Sequence, residues 1–413
     1  MNSDQILYLI IGILTFDFAL EQFLDYRNYK SIGKTLPSIV SDVYEAEKYK
    51  KSQRYQKETA RFSFLTSTVS FVLYIVVLSF GILGKVDEYL ANYIDNNILR
   101  GVAFLGLSFI VSDVLTIPFQ WYKTFIIEEK YGFNKSTISI FIVDKLKGYF
   151  LTALIGGGLI SLLLYLIVEI GEHFWLYFWM VAAVFMLLIN MFYTSWIVPL
   201  FNKLTPLEDG ELRSAIENYS KKAKFELTNI FVIDGSKRSN KANAYFSGIG
   251  PRKKVVLYDT LINNHTTEEL VAVLAHEVGH CKKKHIVWSL IISIFQIGLT
   301  LFILSQFIFQ PTLSVALGAK GISYHLNLIA FGMLFSPIST IIGLLMNIFS
   351  RKNEYEADAF AAETSSASSL QLALKKLSSD NLSNLTPDAA YVFFHHSHPP
   401  LIKRLEALKR FST

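Results

Sequence analysis

Seven stretches of mostly apolar residues, 6–24, 62–83, 101–120, 149–170, 174–200, 286–309 and 326–350, constrain this chain more than any other feature. A helix needs about 20 such residues to cross the hydrocarbon of a bilayer. Seven of them in one chain exclude a soluble globular protein, a disordered chain and a collagen. Only 18% of the residues are charged, against roughly 25% in an average soluble domain. Net charge is +5 and scattered, so no basic face for nucleic acid is expected. The single cysteine, Cys281, cannot form an internal disulfide.

Basic residues set the orientation. With the N-terminus on side one, the side-two segments 25–61, 121–148, 201–285 and 351–413 hold 36 of the 39 Lys and Arg residues. Side one keeps only Lys85, Arg100 and Lys320. The two short loops agree with the long segments, and positive charge marks the cytoplasmic side. The chain is therefore expected to be an integral, multi-pass membrane protein in contact with lipid. Its N-terminus lies outside and its C-terminus in the cytoplasm. Residues 1–200 carry five spans with cytoplasmic loops 25–61 and 121–148, and 286–350 carry two more. Asp17, Glu21 and Asp113 fall inside spans. Facing lipid would be costly for them, so they are expected to face a cavity or each other.

The polar part comes in two pieces, 201–285 and 351–413. In the first, 229–233 and 255–258 read as strands, short and β-branched, with 243–246 as an edge strand. Thr266 and Glu269 have the spacing of a capping box. A helix is predicted to start there and to run on into the sixth span without a break.

That helix contains His276-Glu277-Val278-Gly279-His280. Histidines four apart project from one helix face, so both rings can bind one zinc ion. Glu277 then sits beside the open coordination position, where it can take a proton from water. Catalytic zinc wants three protein ligands. The metzincin third position is Ile286 here and the glycine position is Lys283, which excludes that class. His285 reads as an ordinary histidine at the membrane interface. The better third ligand lies after the seventh span, where Glu354 and Asp358 share one helix face. Glu354 can reach the metal, and Asp358 can accept the N–H of a ligand histidine and fix its tautomer. Glu356 points elsewhere and reads as a solvated acid.

These residues, with the seven spans, resemble the type I CAAX prenyl endopeptidases, the CAAX prenyl protease 1 family of integral-membrane zinc metallopeptidases. The resemblance covers nearly the whole chain and implies one Zn²⁺ per chain. It implies a mainly α, polytopic fold: seven helices form a barrel around a large chamber, capped by a small α+β zinc domain built from the two polar segments. It implies removal of the C-terminal tripeptide of prenylated CAAX proteins. Three further stretches take roles from it. Asn243-Ala244-Tyr245 matches the edge strand that pairs with substrate backbone, with Asn243 as a side-chain contact. His398, in Ser397-His398-Pro399-Pro400, matches the histidine that steadies the oxyanion. Arg404 matches an arginine near the active site. The chain is short for a eukaryotic member and ends Arg410-Phe411-Ser412-Thr413, without a retrieval signal. The expected membrane is the inner membrane if the chain is bacterial and the endoplasmic reticulum if it is eukaryotic, and a bacterial member would cleave other membrane-associated peptides. The alternatives are a quality-control metalloprotease of the HtpX type, with fewer spans, and a non-catalytic seven-span receptor or transporter. A site-2-type protease is disfavoured because Lys282-Lys283-Lys284 follow the motif.

Overall fold

The apolar stretches fold as long helices. A computed structural model of the chain describes residues 1–225, 229–248 and 253–411. The terminal Ser412 and Thr413 of the tail discussed above lie outside the described residues. Among the described residues, six helical segments are long and apolar enough to cross a membrane: Ser3–Ser31, Ala46–Ser79, Asn97–Glu128, Ile138–Phe201, His285–Phe307 and Tyr324–Thr364. The fourth has 64 residues. At 1.5 Å per residue it would span about three bilayers if straight. It instead contains two of the seven stretches and turns at Gly171, whose φ of +66° suits glycine. Beyond the turn, Phe174 packs on Leu164 and Ile167.

The helices bury little against one another. Only 6–11% of each apolar window is buried. Most of their apolar surface is left open. The intramembrane acids each find a partner. Ser336 Oγ donates to Asp17 Oδ2 at 2.6 Å. His395 Nε2 lies 3.3 Å from Glu21 Oε2. Lys145 Nζ donates to Asp113 Oδ1 at 2.6 Å, with Tyr149 OH on the other oxygen.

The side-two segments are more helical than their polar sequence suggests. Ala46–Ser79 begins well inside the 25–61 loop, and Ile138–Leu151 begins inside 121–148. The 34-residue helix Ala46–Ser79 outruns a bilayer by roughly 20 Å. Its polar start packs on the second polar segment, where Ser52 Oγ donates to Leu382 O at 3.0 Å. Tyr324–Thr364 does the same with 41 residues: its first half is apolar and its last turns carry Glu354 and Asp358.

A four-stranded sheet lies beside these helix ends, in the order β1 (Leu204–Pro206), β2 (Ile230–Ile233), β4 (Lys254–Tyr258), β3 (Ala244–Ser247). β3 pairs antiparallel with β4 and is an edge, as the sequence suggests. β1 was not anticipated: three residues ending in proline carry no strand signal. The two polar segments share one core. Leu257, Leu270, Leu274 and Val278 from the first meet Ala361, Leu370 and Leu408 from the second.

Candidate active site

The helix Thr267–Lys282 carries the two histidines. Its start is the expected capping box: Thr266 N donates to Glu269 Oε2 at 3.1 Å and Glu269 N to Thr266 Oγ1 at 3.4 Å. Leu270, Leu274 and Val278, four apart, anchor one face in the shared core. His276 and His280 lie off that face and meet the end of Tyr324–Thr364. Gly279 lets the two helices touch. A Cβ there would lie 3.1 Å from Ala357 Cα and 3.2 Å from its carbonyl oxygen.

The close approach brings three ligand-type groups together. His276 Nε2 is 3.1 Å from His280 Nε2. Glu354 Oε1 is 3.2 Å from His280 Nε2, and Oε2 is 3.5 Å from His276 Nε2. The donor atoms lie within 4.8 Å of one another. Glu354 Oε2 is buried and accepts no hydrogen bond. A buried carboxylate oxygen with no hydrogen-bond donor is costly. One divalent cation satisfies all four atoms. The electrostatics agree. Burial alone would hold His276 below its usual range, yet hydrogen bonds to Asp358 and Glu354 raise it to about 9.

Around this cluster, Asp358 Oδ1 takes His276 Nδ1 at 2.9 Å. Arg404 grips Asp358 with two bonds, Nε to Oδ2 at 2.8 Å and Nη2 to Oδ1 at 2.6 Å. His398 Nε2 is 3.3 Å from Glu354 Oε1, and its Nδ1 is 3.0 Å from Ser397 Oγ. Glu277 is partly buried, and that burial pushes its carboxyl above the ordinary range. A cleft of about 460 Å³ opens over these groups, with Asn243, Ala244, Tyr245 and Phe246 along one wall. The exposed Asn243 turns its Oδ1 to the backbone N–H of Ala244 at 2.9 Å. A second, more apolar cavity of about 640 Å³ adjoins it, lined by Phe185, Ile189, Tyr193 and Leu290 and reaching His280 and Tyr245.

Three sequence readings need correction. The histidine helix does not continue into the sixth span: it ends at Lys282, and Lys284 has a φ of +59° before the next helix starts at His285. His285 is not a simple interfacial residue; it is 5% exposed and its Nδ1 lies 3.0 Å from His280 Nδ1. Glu356 is not a free solvated acid; its Oε2 lies 3.2 Å from His285 Nε2. The local signals were poor, because the turn uses a lysine where a glycine would have announced it.

Known proteins match both halves of the chain. Residues 25–203 match the family described as CAAX prenyl protease N-terminal, five membrane helices, and residues 206–412 match Peptidase family M48. The CAAX prenyl protease 1 homolog of Arabidopsis thaliana is 36% identical over 97% of this chain and 96% of that protein. CAAX prenyl protease 1 of Saccharomyces cerevisiae is 33% identical over 97% and 94%. The crystal structure of S. mikatae Ste24p aligns with a TM-score of 0.92 at 33% identity, covering 98% of this chain and 99% of that one. Residues 25–203, matched as membrane helices, and residues 206–412, matched as a peptidase, make this a membrane-embedded metalloendopeptidase. The chain belongs to the CAAX prenyl protease 1 family. A receptor or transporter without catalysis is thereby set aside, and the match of the membrane region favours the CAAX type over the HtpX type.

Proposed function

We propose that the metal is one zinc ion held by His276, His280 and Glu354, and that the substrate is a membrane-associated, prenylated protein tail. The observation that carries the reading is the meeting of those three side chains with Glu277 in one cleft beside a free strand edge. Two imidazoles and one carboxylate are the ligand chemistry of a catalytic zinc site. When bound, zinc supplies Lewis acidity to the scissile carbonyl and lowers the pKa of the attacking water.

The chain's own groups do the rest. The backbone of Ala244 and Tyr245 pairs with the peptide as an added strand, and Asn243 contacts it by side chain. Glu277 takes the proton of the attacking water and hands it to the leaving amine. His398 aims its Nε2–H at the carbonyl oxygen as charge develops there. Asp358 holds the His276 tautomer, and Arg404 holds Asp358. The apolar cavity beside Tyr245 suits a lipid chain. The peptidase domain is assembled from 201–285 and 351–413 and lies with the C-terminus on the cytoplasmic side, a reading supported by the 36 of 39 basic residues on that side.

The test is cleavage in detergent of a farnesylated CAAX peptide and its unmodified form by the purified protein. Faster cleavage of the farnesylated peptide supports the reading. Equal rates would leave a metalloendopeptidase with no lipid requirement and would overturn the substrate assignment.

A further inference from the structure

Each of the two histidines of the site has a partner at its second ring nitrogen, but the partners differ. His276 Nδ1 meets Asp358. His280 Nδ1 meets His285 Nδ1 at 3.0 Å, and His285 Nε2 meets Glu356 Oε2 at 3.2 Å. We propose that His285 and Glu356 are positioning residues for His280, a hydrogen-bonded relay that fixes its tautomer and ring angle for metal binding. This rests on the reading of His276, His280 and Glu354 as metal ligands.

The protonation pattern follows from the geometry. His280 Nε2 faces Glu354 and His276, so its proton sits on Nδ1 when the ring ligates. His285 Nδ1 must then accept, which places the His285 proton on Nε2, and Glu356 accepts that proton's hydrogen bond. Every N–H in the chain finds an acceptor with both rings neutral. His285 is 5% exposed, so water is poorly placed to substitute for it. Glu356 is the outer end, with 39% of its side chain exposed and Lys352 Nζ 3.8 Å from its other oxygen.

The backbone is bent to make this contact. In an unbroken helix, residues five apart point about 140° away from each other and cannot meet. Here the helix ends after Lys282, and Lys284 adopts a left-handed φ of +59°. A left-handed conformation is costly for a residue with a Cβ, and such outliers gather where surrounding structure needs them. The turn swings His285 back over the last turn of the histidine helix and onto His280. Glu356 reaches His285 from the other helix, two residues beyond the proposed ligand Glu354. One helix, Tyr324–Thr364, thus supplies the carboxylate behind each histidine, directly for His276 and through His285 for His280.

The test is the zinc dissociation constant of the full-length protein in detergent, read by competition with a chelator. Wild type must bind one zinc; absence of zinc there overturns the metal reading itself. His285→Phe keeps the ring's bulk and removes the acceptor, and is expected to bind zinc 10–100-fold more weakly, the usual effect of removing a ligand's hydrogen-bond partner. His285→Asn places an amide oxygen near the position of Nδ1, and is expected to recover most of that loss. At the accessible end, Glu356→Ala is expected to weaken zinc about 10-fold, while Glu356→Gln, whose oxygen still accepts from His285, recovers it. This second pair decides the matter if His285→Phe does not fold. Zinc held as tightly by His285→Phe or Glu356→Ala as by wild type overturns the relay, as does failure of either conservative variant to restore binding.

Discussion

Gly279 lies directly against Ala357, and that contact sets the spacing of the proposed metal site. A Cβ on Gly279 would fall 3.1 Å from Ala357 Cα and 3.3 Å from Phe360 Cβ. Gly279 precedes His280, and Ala357 lies one turn beyond Glu354 on the facing helix. The backbone distance between these helices therefore governs how close His280 and Glu354 come.

Gly279→Ala is expected to part the helices by a few tenths of an ångström. Overpacking of a tight core typically costs about 1–3 kcal/mol. Because His280 and Glu354 move apart as well, zinc should bind more weakly while the protein remains folded. Chelator competition alongside thermal unfolding reads both effects. An alanine variant with wild-type stability and affinity would show that the contact is not limiting.

Glu277 is not one of the three proposed ligands, so its removal separates chemistry from metal binding. Glu277→Gln is expected to retain stoichiometric zinc and to lose turnover by about 10²–10⁴-fold, the usual worth of a general base. Peptide cleavage and metal content on the same preparation check this. Turnover at the wild-type rate would remove Glu277 from the mechanism.

The raised pKa of His276 gives a pH dependence with a definite sign. Bonds to Asp358 and Glu354, working against burial, hold the ring protonated up to about 9 in the metal-free protein, against 6.5 for a free ring. This stabilisation is complete below pH 6.5 and is lost as pH rises through 9. The metal-free protein is therefore expected to unfold at lower temperature at pH 9 than at pH 6.5. Zinc must displace that proton, so its affinity should climb over the same window. A flat affinity between pH 6.5 and 9 would contradict the assigned charge.

Much of this site is legible in the sequence because its signals are local. Apolar runs of about 20 residues mark the spans, and His276 and His280 share a face by helix period alone. Glu354 and Asp358 follow from the same period on the helix after the seventh span. The parts that escape reading depend on tertiary contact. The His280–His285 contact needs the left-handed turn at Lys284, a conformation lysine does not advertise. Glu356 is offset by two residues from Glu354 and gains a partner only because His285 is folded back to it. The helical start of Ala46–Ser79 is polar because it packs on the peptidase region and not on lipid, so hydropathy sees a loop there.

Glu354, 74 residues beyond His280 in the chain, is proposed to complete a zinc site with the two histidines. Zinc content per chain, measured on purified wild type, Glu354→Ala and Glu277→Gln, tests it most directly. The expected result is one zinc in wild type and in Glu277→Gln, and loss of zinc in Glu354→Ala together with its peptidase activity. A Glu354→Ala protein that keeps its full complement of zinc would contradict the site as built here.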